Sequence, residues 1–372
     1  MATRRRDLVR FVRTSPALAV VALLALALVA FLLQDLAGRL ASGDLLVGDL
    51  LSRIWNGSIL GMAIGLAGIG LALTYSILRF ANFAHGDLIT AGAFGGWITT
   101  FLIAGLGQFP LEALVHVGGP FDINTNTLGI SVTNTPLAIA AGLLVAIAFT
   151  ALLALGIDRI VFKPMREASG IALLIASVGV ALVLRYLLVF TLQASNRGLT
   201  AGQQTPGWAV EVGGATIQVN GHEVTLIVLA ALLMLATHLI LRYTKLGTAM
   251  RAMADNEDLA RITGIPTERV VTATWLLGGG LTGASGYLIA LEQGTLSTTL
   301  GWGLLLLIFA AVILGGIGSL YGAIAGGLVI GIASRLSLVW IDSSFILVAA
   351  FLVMIVMLLF RPSGLLGGVT TA

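Results

Sequence analysis

Residues 242–269 read RYTKLGTAMRAMADNEDLARITGIPTER, the longest polar interruption between apolar runs that carries clear helix signals. Between Leu246 and Thr263 most residues are strong helix formers, and Ala249, Met250, Met253, Ala254 and Ala260 supply a short apolar face. Gly264 stands where a C-terminal glycine belongs, and Pro266 stops the helix two residues on. Five basic residues, Arg242, Lys245, Arg251, Arg261 and Arg269, place the stretch on the cytoplasmic side if the flanking runs cross a bilayer. A short amphipathic helix held there either lies on lipid or is handed to a soluble partner.

Composition says that the flanking runs do cross. The chain is 58% apolar and only 10% charged over 372 residues, against roughly 25% charged in soluble domains. This is the composition of an all-α polytopic membrane protein. Its 47 glycines suit helices that pack closely in lipid, where small residues let backbones approach. The absence of cysteine excludes disulfides, thiolate metal sites and cysteine nucleophiles. The basic residues cluster between apolar runs and not on one domain, so the high pI reflects loop asymmetry and no nucleic-acid partner is expected.

In chain order, Arg4, Arg5, Arg6, Arg10 and Arg13 precede the run Pro16–Leu33, which is longer than a signal-peptide core and is expected as an uncleaved first span. Asp35–Arg53 follows as an outside loop of mixed charge. Ile54–Leu78 carries Gly57, Gly61, Gly65, Gly68 and Gly70 at mostly three- and four-residue steps, the spacing of a close helix contact. Further spans are expected to end at Leu106 and to cover Pro136–Ile157, Gly170–Leu192, Val224–Leu241, Val271–Leu291, Leu300–Leu314, Tyr321–Trp340 and Phe345–Phe360. That makes about ten crossings, each near the roughly 20 residues needed. Fifteen of the 20 Lys+Arg fall in segments this topology puts inside, with both termini there too. The polar segments Gly107–Asn134 and Ser195–Glu223 lie outside, the second with an alternating pattern at Ala215–Val219 that suits a small hairpin. They are either a landing surface for a delivery protein or tolerated insertions.

Two segments interrupt the apolar runs. Asn82, Phe83, His85, Gly86 and Asp87 lie at or near membrane depth, and Gly315, Gly316 and Gly318 occupy the corresponding place five crossings later. Polar or broken backbone at that depth either lines a translocation path within inverted repeats or, for Asn82 and Asp87, simply caps a helix start. Arg185 and Arg335 lie within spans and either pair with a carboxylate, snorkel, or contact an anionic substrate group. Glu292 sits near the outer end of its span and reads as a surface-level residue.

No chemistry of bond-making is visible. The two lysines, Lys163 and Lys245, are followed by Pro164 and Leu246, so no Walker A loop exists. The four histidines are scattered without metal-ligand spacing, and neither a catalytic constellation nor a cofactor motif stands out.

Three stretches in order, ANFAHGDLITAGAF at 81–94, DNEDLARITGIPTERV at 255–270 and VILGGIGSLYGAIAGGLVIG at 312–331, resemble the permease subunits of branched-chain amino acid ABC importers, a family that includes urea and amide permeases. The resemblance runs from about Ile54 to the C-terminus. It divides the chain into 1–53, a basic segment with first span and loop, and 54–372, the transmembrane domain. It implies that 247–264 is a coupling helix docking into an ATPase, with Arg251, Asp255, Asn256, Leu259, Arg261 and Gly264 as contacts. Ala252-Met253-Ala254 replaces the family's usual Glu-Ala-Ala. The resemblance further implies a second homologous permease in a heterodimer, two ATPase subunits and an extracytoplasmic solute-binding protein. The solute is then a branched-chain amino acid, or alternatively urea or a short amide; a stand-alone carrier or channel for a small polar solute is the reading from another class.

Overall fold

The computed structural model describes residues 16–108, 128–194, 196–201 and 205–366. The basic segment 1–13, most of the expected outside segment 107–134, and Gln203 and Gln204 lie outside the described residues. The helices are α1 (Pro16–Ser42), α2 (Val47–Leu78), α3 (Ala84–Ala104), α4 (Pro136–Ile157), α5 (Gly170–Leu192), α6 (Gly221–Tyr243), α7 (Lys245–Asp255), α8 (Glu257–Ile262), α9 (Thr267–Gln293), α10 (Leu300–Gly315), α11 (Leu320–Leu336) and α12 (Ile346–Phe360). Short strands are β1 (Arg197–Gly198), β2 (Gly207–Val212), β3 (Ala215–Asn220) and β4 (Thr295–Leu296).

Among the described residues, eight helices are long and apolar enough to cross a membrane, fewer than the ten expected. The expected crossings at 271–291 and 300–314 account for the difference. Helix α9 is long enough, but its glycines, threonines, serine and tyrosine dilute its hydropathy. From Gly278 to Leu291 it is buried by protein without a break, so it has no need of a lipid-facing apolar surface. Helix α10 has 16 residues, about 24 Å at 1.5 Å per residue, which is short for a hydrocarbon core of about 30 Å.

A second correction concerns Asp35–Arg53. Instead of a loop, α1 runs on to Ser42 and α2 starts at Val47, leaving only residues 43–46 between them. Local pairing makes helix the better state there: Asp35 accepts from Arg39 one turn on at 2.7 Å, and from Trp340 Nε1 at 2.8 Å. Helix α1 is otherwise largely exposed and touches the bundle chiefly at α12.

The centre is built on glycine. Gly57, Gly61 and Gly65 of α2 cross Gly331, Gly327 and Ile324 of α11, so close that a Cβ built on Gly61 would lie 2.8 Å from the Leu328 Cα. With no hydrophobic drive between helices in lipid, such backbone contact and its dispersion energy hold the pair together. The packing has an exchange symmetry: α2 lies along α11 as α9 lies along α4, while α3–α4 and α10–α11 are neighbours in each half. That is the arrangement expected of two repeats offset by five crossings.

The two ends of the bundle differ. At one, the hairpin end, β2 and β3 pair in antiparallel register from Gly207↔Asn220 to Val212↔Ala215, as the alternation at 215–219 predicts. Gly213 and Gly214, both at positive φ, make its two-residue turn. At the other, the basic end, the turn after α4 is tied to the start of α9: Arg166 reaches Asp158 at 3.0 Å and also bonds Glu268, which Lys163 meets at 3.0 Å.

Candidate transport site

The stretch 245–262 is two helices and not the single helix expected. Thr244 caps α7 by accepting from the Gly247 amide at 3.1 Å. Asn256 then leaves helical geometry (φ −154, ψ 107), and its side chain accepts from the Leu259 amide at 2.9 Å to start α8. Asparagine competes with the helix for its own backbone, which is why the break falls there. Gly264 ends the unit at φ 87, in the left-handed region that glycine alone enters freely.

The apolar face of this unit turns into the protein. Met250, Met253 and Ala260 are buried with Ile77, Phe80, Phe162 and Trp275 in a core at the basic end. Asp255, Asn256, Leu259, Arg261 and Gly264 all face outward. Arg251 is engaged otherwise: its guanidinium bonds the Leu241 carbonyl and Thr248, fastening α7 to the end of α6. Arg79, at the end of α2, donates to the Ala254 carbonyl, a contact with no local signal among the residues.

Of the residues at the first helix break, Asn82 Oδ1 accepts from the Ala84 amide at 3.1 Å, and the Phe83 amide donates to Ser177 at 3.0 Å. Gly86 packs directly on Gly301 of α10, where a Cβ on Gly301 would sit 1.7 Å from the Gly86 carbonyl oxygen. Asp87 is fully buried and held bidentately by Arg185, at 3.1 Å from both Nε and Nη2, with the guanidinium 4.5 Å from the Trp302 ring centre. Arg185 is therefore paired with a carboxylate, the structural alternative of the two. His85 Nε2 lies 3.0 Å from the Ala67 carbonyl in the middle of α2. At the second break Gly315 packs on Gly322, Gly316 (φ 105) and Gly318 (φ 88) make the turn, and Ser319 caps α11 by accepting from the Gly322 amide at 3.0 Å.

Two cavities lie on one face of the bundle, where α2, α6 and α11 meet. The inner one, about 660 Å³, opens at the basic end between Ile69–Ile77, His238 and Gly318, and α7 forms part of its wall through Met250 and Ala254. There Tyr321 bonds His238 at 2.7 Å. The outer one, about 250 Å³, opens at the hairpin end above Ala63. The stretch of α2 between them, Ala63 to Ile69, is about 9 Å of helix. Met234 packs against it at Gly65, and its carbonyls take extra bonds from neighbours, Ser285 to Ala63 at 2.8 Å and His85 to Ala67. Of the residues singled out in the sequence as path candidates, Gly318 lines the inner cavity; Asn82, Phe83, His85, Gly86, Asp87, Gly315 and Gly316 line neither. The cavity walls come instead from α2, α6, α7 and α11, with Glu292, Gln293 and Arg335 at the outer cavity. Arg335 and Glu292 stand out in the sequence as charges within or near spans, whereas the α2 and α6 lining does not, because nothing local marks which face of an apolar helix turns to a gap.

Comparison with known proteins follows the same lines. A family model described as "Branched-chain amino acid transport system / permease component" matches residues 53–360. The chain is 29% identical over 320 residues to the High-affinity branched-chain amino acid transport system permease protein LivH of Escherichia coli (strain K12), covering 85% of this chain and 95% of that one. It is 27% identical over 321 residues to the corresponding permease protein BraD of Pseudomonas aeruginosa, with the same coverage of each. A probable branched-chain amino acid transport permease protein of Methanocaldococcus jannaschii is 26% identical over 311 residues, 81% of this chain and 88% of its own length.

Proposed function

The chain belongs to the branched-chain amino acid transport permease family, and on that premise we propose that it is the membrane subunit of an ATP-driven importer, moving branched-chain amino acids by alternating access. The observation that carries the mechanism is that α7 is at once part of the exposed unit at the basic end and a wall of the inner cavity. A partner that shifts α7–α8 therefore changes the shape of that cavity directly. The 9 Å plug between the cavities is the element such a shift would have to move.

In this reading the basic end and both termini face the cytoplasm of a cell membrane, as the positive-inside asymmetry supports. One of the importer's two ATPase subunits docks on Asp255, Asn256, Leu259, Arg261 and Gly264, with Arg251 behind them holding α7 in place. A second, homologous permease completes the transmembrane unit, and a solute-binding protein delivers from the hairpin end. Asn82–Asp87 and Gly315–Gly318 act as the two breaks about which the path opens; His85 joins the first to the plug, and Gly318 joins the second to the inner cavity.

The test is uptake of labelled leucine by the complex reconstituted from this chain, its ATPases and its binding protein, with unlabelled urea and acetamide as competitors. ATP-dependent leucine uptake that neither competitor reduces is expected. A tagged chain that brings down no ATPase in mild detergent, yet moves solute alone, would replace the importer with a stand-alone carrier.

A further inference from the structure

The outer cavity has a composition that the mechanism above does not use. Five aliphatic residues, Ile59, Leu60, Ala63, Leu226 and Ile289, line it together with four polar ones, Asn56, Glu292, Gln293 and Arg335. Glu292 and Arg335 come from different helices, α9 and α11, and both face this space. Among the described residues they form no ion pair with each other or with anything else. Arg335 Nε is buried without a hydrogen-bond partner. The neighbouring acid, Glu223, does not supply one: its oxygens are taken by Trp55 at 2.9 Å and by the backbone and side chain of Asn220, both at 3.1 Å.

A guanidinium nitrogen buried without a partner is costly, because it loses water without gaining a hydrogen bond, and the Glu292 carboxylate that shares the cavity does not pair with it. Elsewhere in this bundle the same chemistry is resolved by direct pairing, as in Asp87 with Arg185. We propose that the outer cavity is a binding site for a free amino-acid zwitterion, with Arg335 receiving the α-carboxylate, Glu292 the α-ammonium, and the aliphatic wall a branched side chain. This rests on the amino-acid reading of the transported solute and names the residues that would hold it. The net charge of the pair is zero, as is that of the ligand, so neither an amine nor a carboxylate alone satisfies both groups. A volume of about 250 Å³ has room for one such molecule.

The chain has no cysteine, so a single Asn56→Cys at the cavity rim reports occupancy by its rate of maleimide labelling in the full-length protein in lipid nanodiscs, with Gln293→Cys as a second reporter. Leucine should slow labelling, while 3-methylbutylamine and 4-methylpentanoate at the same concentration should not. Adding Arg335→Gln or Glu292→Gln should raise the leucine concentration needed for protection by about 10- to 100-fold, the scale of one charged hydrogen bond. Labelling without ligand should be unchanged, which shows that the variants are folded. Labelling indifferent to leucine at both reporters, or protection in the charge variants at the same leucine concentration as without them, overturns the site. If the reconstituted complex still takes up leucine in that case, only the site is wrong. If it takes up urea or acetamide instead, the amino-acid reading itself has failed.

Discussion

The two helix breaks occupy corresponding places in the two halves and are built from opposite materials. Between α2 and α3 the chain turns at Arg79 (φ 57) through groups that are nearly all engaged: Arg79 on the Ala254 carbonyl, Phe80 in the basic-end core, Phe83 on Ser177, His85 on Ala67 and Asp87 on Arg185. Between α10 and α11 the turn is made by Gly316 and Gly318 at positive φ, with one serine cap and the wall of the inner cavity beside it. One break is clamped by side chains; the other is glycine held by backbone, since the Leu365 and Leu366 amides donate to the Leu314 and Gly315 carbonyls at 2.8 and 3.0 Å. Only the clamped one is in the grip of α7. A push on α7 thus enters the first half directly, while the joint of the second half is held by the backbone of 365–366 and not by α7.

Breaking the clamp tests this most strongly. Either Asp87→Leu or Arg185→Met alone strands a buried charge and should cost about 3–5 kcal/mol in the unfolding of the purified chain. The double replacement should recover most of that loss. Equal losses in single and double variants would mean that the pair does not hold the first break.

Next in size is Met253→Ala, which empties a buried position under α7 and should cost about 2–5 kcal/mol. Its signature is faster amide hydrogen exchange across 245–255. Exchange confined to global unfolding would show that α7 is held by something other than its apolar face.

A matched pair comes third. Arg79→Ala should cost about 1 kcal/mol and quicken exchange in α7, because the cap on Ala254 is gone. Gly318→Ala, at φ 88 with Ser76 Oγ 3.0 Å from the new Cβ, should cost about 1–2 kcal/mol of backbone strain without touching exchange in 245–255. Identical exchange maps for the two would erase the contrast between the break tied to α7 and the one that is not.

The smallest effect is electrostatic. Glu268 precedes the crossing in α9; partial burial works to raise its carboxyl, but the Lys163 bond and the charges of Arg166 and Lys163 prevail and hold it below its ordinary value. A depressed carboxyl contributes stability above its ordinary pKa and loses it as pH falls through the depressed one. Acidification should therefore release the 158–166 turn from α9, seen as increased protease access at 163–166, and Glu268→Gln should remove that pH dependence. Access that changes equally in Glu268→Gln would assign the titration to another group.

Much of this was legible in the residues. Long apolar runs, glycines at three- and four-residue steps and the alternation before Asn220 announced the spans, the α2 crossing and the hairpin, because these depend on local periodicity. The amphipathic pattern at 246–263 announced a surface unit but not its break at Asn256, where a side-chain cap and a continuing helix compete almost evenly. The loop expected at Asp35–Arg53 became helix because its charges pair along the helix surface and with Trp340 from a distant turn. Helix α9 reads as a marginal span for the same kind of reason: its surroundings are protein, and hydropathy measures suitability for lipid.

The sequence by itself determined the class of molecule, the end of it that is basic and the amphipathic unit exposed there, since hydropathy, charge bias and helix caps act over a few residues. Only the tertiary structure decided which charges meet. Asp87 and Arg185 are 98 positions apart and pair, whereas Glu292 and Arg335 are closer in the chain and face a common cavity unpaired. Helix packing sets those distances, and no periodicity along the chain encodes the gap between one helix and another.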